Sequence, residues 1–188
     1  MRYAKIREMD ISNGEGIGVS LFVQGCHFHC NGCFNPETWD FNGGNAWNNG
    51  IKEEFLALAE KSYITRVSIL GGEPLCDENV DSVLELIKAI KEMYPQKNIW
   101  LYTGYNFDDI MKQGRNQTFS GNAPNKRLEC VLNVDVVVDG QFQLDKQDLY
   151  NEKIVFAGST NQRIIHVKNL GTQNQQEISA IQIRTKGD

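Results

Sequence analysis

The chain has 188 residues, 40% of them hydrophobic, and a formal net charge of −5. That length suffices for one domain with a substantial core. The acidic balance and the lack of a basic run exclude a broad nucleic-acid footprint, and no apolar stretch approaches the roughly 20 residues of a membrane span. Residues 1–8 hold no apolar h-region, so no signal peptide is read there and a soluble, cytoplasmic protein is expected.

Residues 17–23 are apolar and rich in β-branched side chains, which predicts a buried strand running into a cysteine loop. Residues 51–61 carry Phe55, Leu56, Leu58 and Ala59 at helical spacing. Residues 66–70 form a short strand ending at Gly71-Gly72-Glu73-Pro74. In residues 78–94, Val80, Val83, Leu84, Ile87, Ile90 and Tyr94 share one helical face before Pro95. Residues 98–103 are the next strand, ended by Gly104, and a short helix is expected at 107–112. Residues 114–125, polar and rich in Gly and Asn, predict a mobile surface loop. Residues 127–132 are ambiguous between helix and turn. Residues 134–138 are a strand ending at Asp139-Gly140, and 154–156 and 164–167 predict two more strands around Gly158-Ser159. The domain is read as 1–170, with 171–188 a polar, loosely ordered tail.

Strands alternating with helices imply an α/β fold with a mostly parallel sheet and right-handed crossovers. In such folds chemistry gathers at the carboxyl ends of the strands. The cysteine loop, Gly71-Gly72-Glu73-Pro74, Thr103-Gly104 and Asp139-Gly140 are all expected there.

Cys26, Cys30 and Cys33 stand in Gly25-Cys26-His27-Phe28-His29-Cys30-Asn31-Gly32-Cys33-Phe34-Asn35. Three thiolates on one short loop suit three irons of a [4Fe–4S] cluster and leave the fourth open to a small molecule. The alternative is a Cys3His zinc site completed by His27 or His29. It lacks the second cysteine pair that zinc sites usually show. Neither histidine is assigned as a ligand. Phe34 is placed to shield a cluster, while Cys76 and Cys130 read as buried apolar thiols. Trp39 and Trp47 are expected to pack around the cysteine loop. Glycines 71 and 72 would admit close backbone approach to a ligand, with Glu73 an added acceptor. Asp139 is either a ligand acceptor or part of an Asp-Gly turn, and Arg163 could pair with a carboxylate.

Together these segments resemble the radical S-adenosylmethionine (SAM) superfamily, and within it the activating proteins of anaerobic (class III) ribonucleoside-triphosphate reductase. The resemblance rests on residues 10–16, 21–35, Gly-Gly-Glu-Pro, Trp100-Leu101-Tyr102-Thr103-Gly104-Tyr105, residues 136–142 and Gly158-Ser159-Thr160-Asn161-Gln162-Arg163. It implies a shortened, partial (β/α) barrel and a [4Fe–4S] cluster on Cys26, Cys30 and Cys33. It further implies SAM bound near Gly32, Cys33, Phe34, Gly71, Gly72, Glu73, Thr103, Asp139 and Gln141. The implied activity is reductive cleavage of SAM to place a glycyl radical on the reductase, with a flavodoxin-like or other low-potential reductant. Other members of the superfamily, a pyruvate formate-lyase-type activase or a 7-carboxy-7-deazaguanine synthase, are disfavoured by residues 102–105 and 158–163. A zinc-stabilised interaction module is the rival outside it. One departure stands out: an Asp-x-Lys pattern of related activases has Gln141 at the lysine position.

Overall fold

The computed structural model describes residues 1–116, 123–148 and 155–167. Their strands are β1 (Arg2–Asp10), β2 (Gly18–Gln24), β3 (Asn45–Ala46), β4 (Arg66–Gly71), β5 (Asn98–Thr103), β6 (Val136–Asp139) and β7 (Arg163–His166). They form one open sheet in the order β3-β1-β2-β4-β5-β6-β7. The central four, β2, β4, β5 and β6, run parallel, whereas β1, β3 and β7 add antiparallel edges. Four helices are described, α1 (Asn49–Glu60), α2 (Val80–Met93), α3 (Phe107–Asn116) and α4 (Ala123–Leu132).

Period-two alternation assigns each strand residue to one of two faces. Val19, Leu21, Val67, Ile69, Ile99, Leu101, Val137 and Ile165 pack with Phe55, Val83, Ile87, Ile90 and Val131 in the main core. This face lies under the helices. Phe22, Leu70 and Tyr102 instead border a cavity that no described helix residue lines. Trp100, Val136 and Val138 continue this second face into a smaller cluster with Phe156 and Ala157. A parallel sheet usually has helices on both faces; here loops cover the second one.

The structure departs from the sequence reading at several points. β1 and β3 were not expected, because Arg2, Lys5, Arg7 and Glu8 interrupt the apolar pattern of residues 1–10. Lys5 and Arg7 use their charges over the Phe22 ring, at 4.6 and 4.8 Å from its centroid. Part of the polar run at 114–125 is helical. Gly114 lies in α3 because a side chain there would strike Leu128 of α4, so it is a packing glycine and not a loop signal. Residues 117–122 lie outside the described residues, as do 168–188, which include the expected tail. Of the strand expected at 154–156, Val155 and Phe156 form a turn, with Phe156 at φ +78°, and residue 154 is outside the described set.

Candidate functional site

β2 runs directly into the cysteine loop. Gly25, at φ +94°, turns the chain out of the strand. Hydrogen bonds from Gly25 N to Thr38 O (2.7 Å) and Cys26 N to Trp39 O (3.1 Å) tie the loop to the segment that follows it. Inside the loop, Cys33 N donates to Cys30 O (3.1 Å). Cys26, Cys30 and Cys33 are all half-buried and line one cavity of about 450 Å³, within the size range of small-molecule sites. Burial pushes the Cys26 and Cys30 thiols above their ordinary range, and the neighbouring Cys33 adds to the effect at Cys30. Ligation by thiolate would therefore release protons.

β4 delivers the second wall. Gly72 N donates to Val23 O (2.9 Å) and Glu73 N to Gly25 O (2.8 Å), stitching this loop to the root of the cysteine loop. A side chain at Gly72 would overlap the Gly25 carbonyl, so the close approach requires glycine. Glu73 is 2% exposed. Its Oε1 accepts from Leu75 N (2.8 Å) and Thr103 Oγ1 (2.8 Å), and its Oε2 from Gly104 N (2.8 Å). Burial raises its pKa to about 7, against the opposing pull of these hydrogen bonds. The carboxyl thus locks the ends of β4 and β5 together while remaining on the cavity wall. Thr103 and Gly104 line the same cavity, and Phe28 packs against Gly104, where a Cβ would come within 2.5 Å of its ring.

β6 contributes differently from expectation. Asp139 is buried and absent from the cavity lining. Its Oδ1 accepts from Arg163 Nε (3.0 Å), and its Oδ2 accepts from Arg163 Nη2 (2.5 Å) and Phe107 N (2.8 Å). Both oxygens thus join β6 to β7 and the start of α3. Arg163 is paired, not solvated, and reaches Asp108 as well (2.9 Å). The residues after Asp139 do reach the site: Gly140, Gln141 and Phe142 line it. Phe142 sits 5.0 Å from Phe34, ring to ring, and Gly158 fits between them. Gln162 holds this arrangement, donating to Gly140 O (2.8 Å) and accepting from Gly158 N (2.7 Å). Much of the Gly-Ser-Thr-Asn-Gln-Arg segment is therefore a brace.

Gly32, expected at the cosubstrate, is not among the lining residues. It takes φ +75° and lies against Leu144. Trp39 stacks on His29 (4.7 Å), but Trp47 packs with Tyr3 and Phe55, away from the cysteine loop. Cys76 and Cys130 are buried, and burial pushes both thiols up to about 12.

Sequence reading gave no site role to several residues that line the cavity: Arg7, Ser12, Asn13, Phe22 and Tyr102. Fully buried Arg66 donates to the carbonyls of Asp10 (2.6 Å), Asn13 and Glu15 (3.2 Å) and fixes the 10–16 turn. Side chains at Gly14 or Gly18 would collide with it. The signal was present as a charged residue opening an apolar strand beside a Gly-rich turn.

The donor set suits an iron–sulfur cluster: three soft thiols, one loop, one cavity. The histidines a zinc ion would need are engaged elsewhere, His27 Nε2 with Glu78 Oε1 (2.9 Å) and His29 with Trp39. Among the described residues, no three His, Cys, Asp or Glu side chains gather closely enough for a single metal ion.

A protein-family model described as a 4Fe-4S single cluster domain matches residues 12–165. The chain is 35% identical over 164 residues to the anaerobic ribonucleoside-triphosphate reductase-activating protein of Enterobacteria phage T4, covering 87% of this chain and 93% of that one. It is 34% identical over 170 residues to the protein of that name from Salmonella typhi, and 33% identical over 170 to that from Escherichia coli K12. In both cases 89% of this chain and 100% of the relative are covered.

Proposed function

The chain belongs to the anaerobic ribonucleoside-triphosphate reductase-activating proteins. On that basis we propose that it places the glycyl radical on this reductase by reductive cleavage of SAM at a [4Fe–4S] cluster held by Cys26, Cys30 and Cys33. One observation carries the reading. The three-cysteine loop and the Gly71-Gly72-Glu73 loop line a single cavity and are joined by the Glu73 N to Gly25 O bond.

Cys26, Cys30 and Cys33 would hold the cluster, which when bound would supply the electron for reductive cleavage of the SAM sulfonium and so the hydrogen-abstracting chemistry at a glycine Cα of the reductase. The protein's own residues bind, orient and exclude. The Gly71 and Gly72 backbone and the Glu73 carboxyl receive the methionine ammonium. A cation there returns Glu73 to its ionised form. Thr103 holds the Glu73 carboxyl in place. Phe28, Phe34 and Phe142 supply apolar walls that keep water from the reacting groups. Gln141 offers a neutral amide where related activases carry lysine, and the cation among the described lining residues is Arg7. Asp139 acts as a positioning residue through Arg163 and α3.

In this reading the open sheet is the shortened barrel of the radical SAM type, residues 1–170 form the activase unit, and a flavodoxin-like protein in the cytoplasm is the reductant. No described helix is long and apolar enough to cross a membrane. The test is anaerobic reconstitution followed by reduction in the presence of SAM. Brown, air-sensitive protein releasing methionine and 5′-deoxyadenosine is expected. A colourless protein holding one zinc ion, or an intact cluster that leaves SAM whole, would overturn the reading.

A further inference from the structure

Asn79 stands immediately before α2, where an asparagine side chain ordinarily accepts from one of the unpaired N–H groups of the first helical turn. It makes no such bond here. Its backbone is already helical, at φ −109° and ψ −31°, whereas a capping side chain needs extended geometry. Asn79 is instead 1% exposed, and its amide Nδ2 donates to Gln24 O (2.9 Å) and to Glu73 O (3.0 Å). Both acceptors are main-chain carbonyls, so the amide must turn its two N–H donors to them and not its oxygen.

The two carbonyls belong to the two loops that form the site. Gln24 ends β2 two residues before Cys26, and its own side-chain amide donates to the carbonyls of Glu37 (2.9 Å) and Asp40 (2.7 Å), in the segment after the cysteine loop. Glu73 lines the cavity from the other loop. One buried amide therefore holds the root of the cysteine loop and the Gly71-Gly72-Glu73 loop together. It does so from a rigid base, since α2 is packed into the main core through Val83, Ile87 and Ile90. The Glu73 N to Gly25 O bond joins the same loops at other atoms. One such bond alone would leave a hinge, and the Asn79 bridge removes it. Fixing two loops before binding lowers the cost of orienting a ligand that both must hold.

We propose that Asn79 is a positioning residue for SAM cleavage: its amide sets the separation of the cysteine loop from the Gly71-Gly72-Glu73 loop, and so the placing of SAM against the cluster. The proposal rests on the function given above. Asn79 is not among the residues lining the cavity and acts through the two carbonyls it holds.

Asn79→Ser offers one short hydroxyl donor in place of two amide donors. In the cluster-free variant the Glu73 N–H should exchange with solvent deuterium about tenfold faster than in wild type, the scale of one hydrogen bond, with the α2 amides no faster. The reconstituted variant should hold its full iron and, before SAM is added, give the wild-type spectrum of the reduced cluster. Its KM for SAM should rise about three- to tenfold and its kcat for cleavage fall. Unchanged KM and kcat overturn the proposal. So does faster exchange spread equally over α2, or loss of iron, since either makes Asn79 a structural prop only. Asn79→Asp, of the same shape, turns carboxylate oxygens to both carbonyls and should show the same pattern more strongly. If neither variant folds, the wild-type chain answers: the Asn79 carboxamide protons should exchange far more slowly than those of exposed asparagines, and equal rates refute the bridge. A cluster-loaded wild-type chain that leaves SAM whole overturns the functional reading, whereas wild-type kinetics in the Asn79 variants overturn this inference alone.

Discussion

Glu73→Gln removes a buried charge while keeping the shape of the side chain, and its effect on stability should reverse with pH. In the unfolded chain this carboxyl ionises near its ordinary value of 4.5, but in the folded protein at about 7. Between those values the folded state retains a proton that the unfolded state has lost. Folding stability due to Glu73 therefore falls as pH rises through this window. The difference corresponds to about 3 kcal/mol. Glutamine does not titrate, but its amide turns an acceptor into a donor. In one orientation the NH2 faces Gly104 N–H, and in the other it faces Leu75 N–H. At least one hydrogen bond is lost in either case, at a cost of about 1–3 kcal/mol. The variant should be clearly less stable than wild type at about pH 5 and close to it at about pH 8. Urea unfolding of the reduced, cluster-free protein at both pH values measures this. A stability gap that is constant, or that widens with pH, would refute the buried-carboxylate account. The same group links to function: SAM affinity in wild type should decline on acidification below about 7, and the glutamine variant should lose that dependence.

Three further outcomes follow from the geometry. Gly72→Ala forces its methyl into the Gly25 carbonyl, so SAM binding should collapse and stability drop by about 1–3 kcal/mol; calorimetric binding at wild-type strength would show that the loops can part freely. Asp139→Ala strands Arg163 and the Phe107 N–H, which should cost about 3 kcal/mol in thermal or urea unfolding while reconstituted iron content persists. A fully stable variant with lost SAM affinity would instead make Asp139 a ligand. His27→Ala and His29→Ala should each keep a full complement of iron and sulfide by chemical analysis, and metal loss in a folded histidine variant would revive the zinc reading.

The parallel core was legible because β2, β4, β5 and β6 are buried on the helical face and consist of near-continuous apolar runs. The helices α1 and α2 announced themselves by period. β1 did not, because an antiparallel strand beside the open face can carry Lys5 and Arg7 against an aromatic ring without a clean alternation. The site was legible where glycine and cysteine do the work, since Gly72 and the three thiols have few other reasons to occupy those places. It was not legible where ordinary residues acquire their role through long-range contact. Arg66 reaches a turn more than fifty residues away, and Asp139 spends both oxygens on β7 and α3. Nothing local marks either choice. Tyr102 stands in the segment Trp100-Leu101-Tyr102-Thr103-Gly104-Tyr105, but only the pleat of β5 turns it to the face opposite the helical core.

The central claim is that one cavity joins three cluster-binding cysteines to a cosubstrate loop in order to place a radical on a partner's glycine. Electron paramagnetic resonance of the reductase, after anaerobic mixing with this protein, a low-potential reductant and SAM, tests it most directly. The account predicts a glycyl doublet that is absent when Cys26→Ala, Cys30→Ala or Cys33→Ala replaces the wild-type chain. A doublet of undiminished yield from any of those variants, or none from a cluster-loaded wild-type protein, would contradict it.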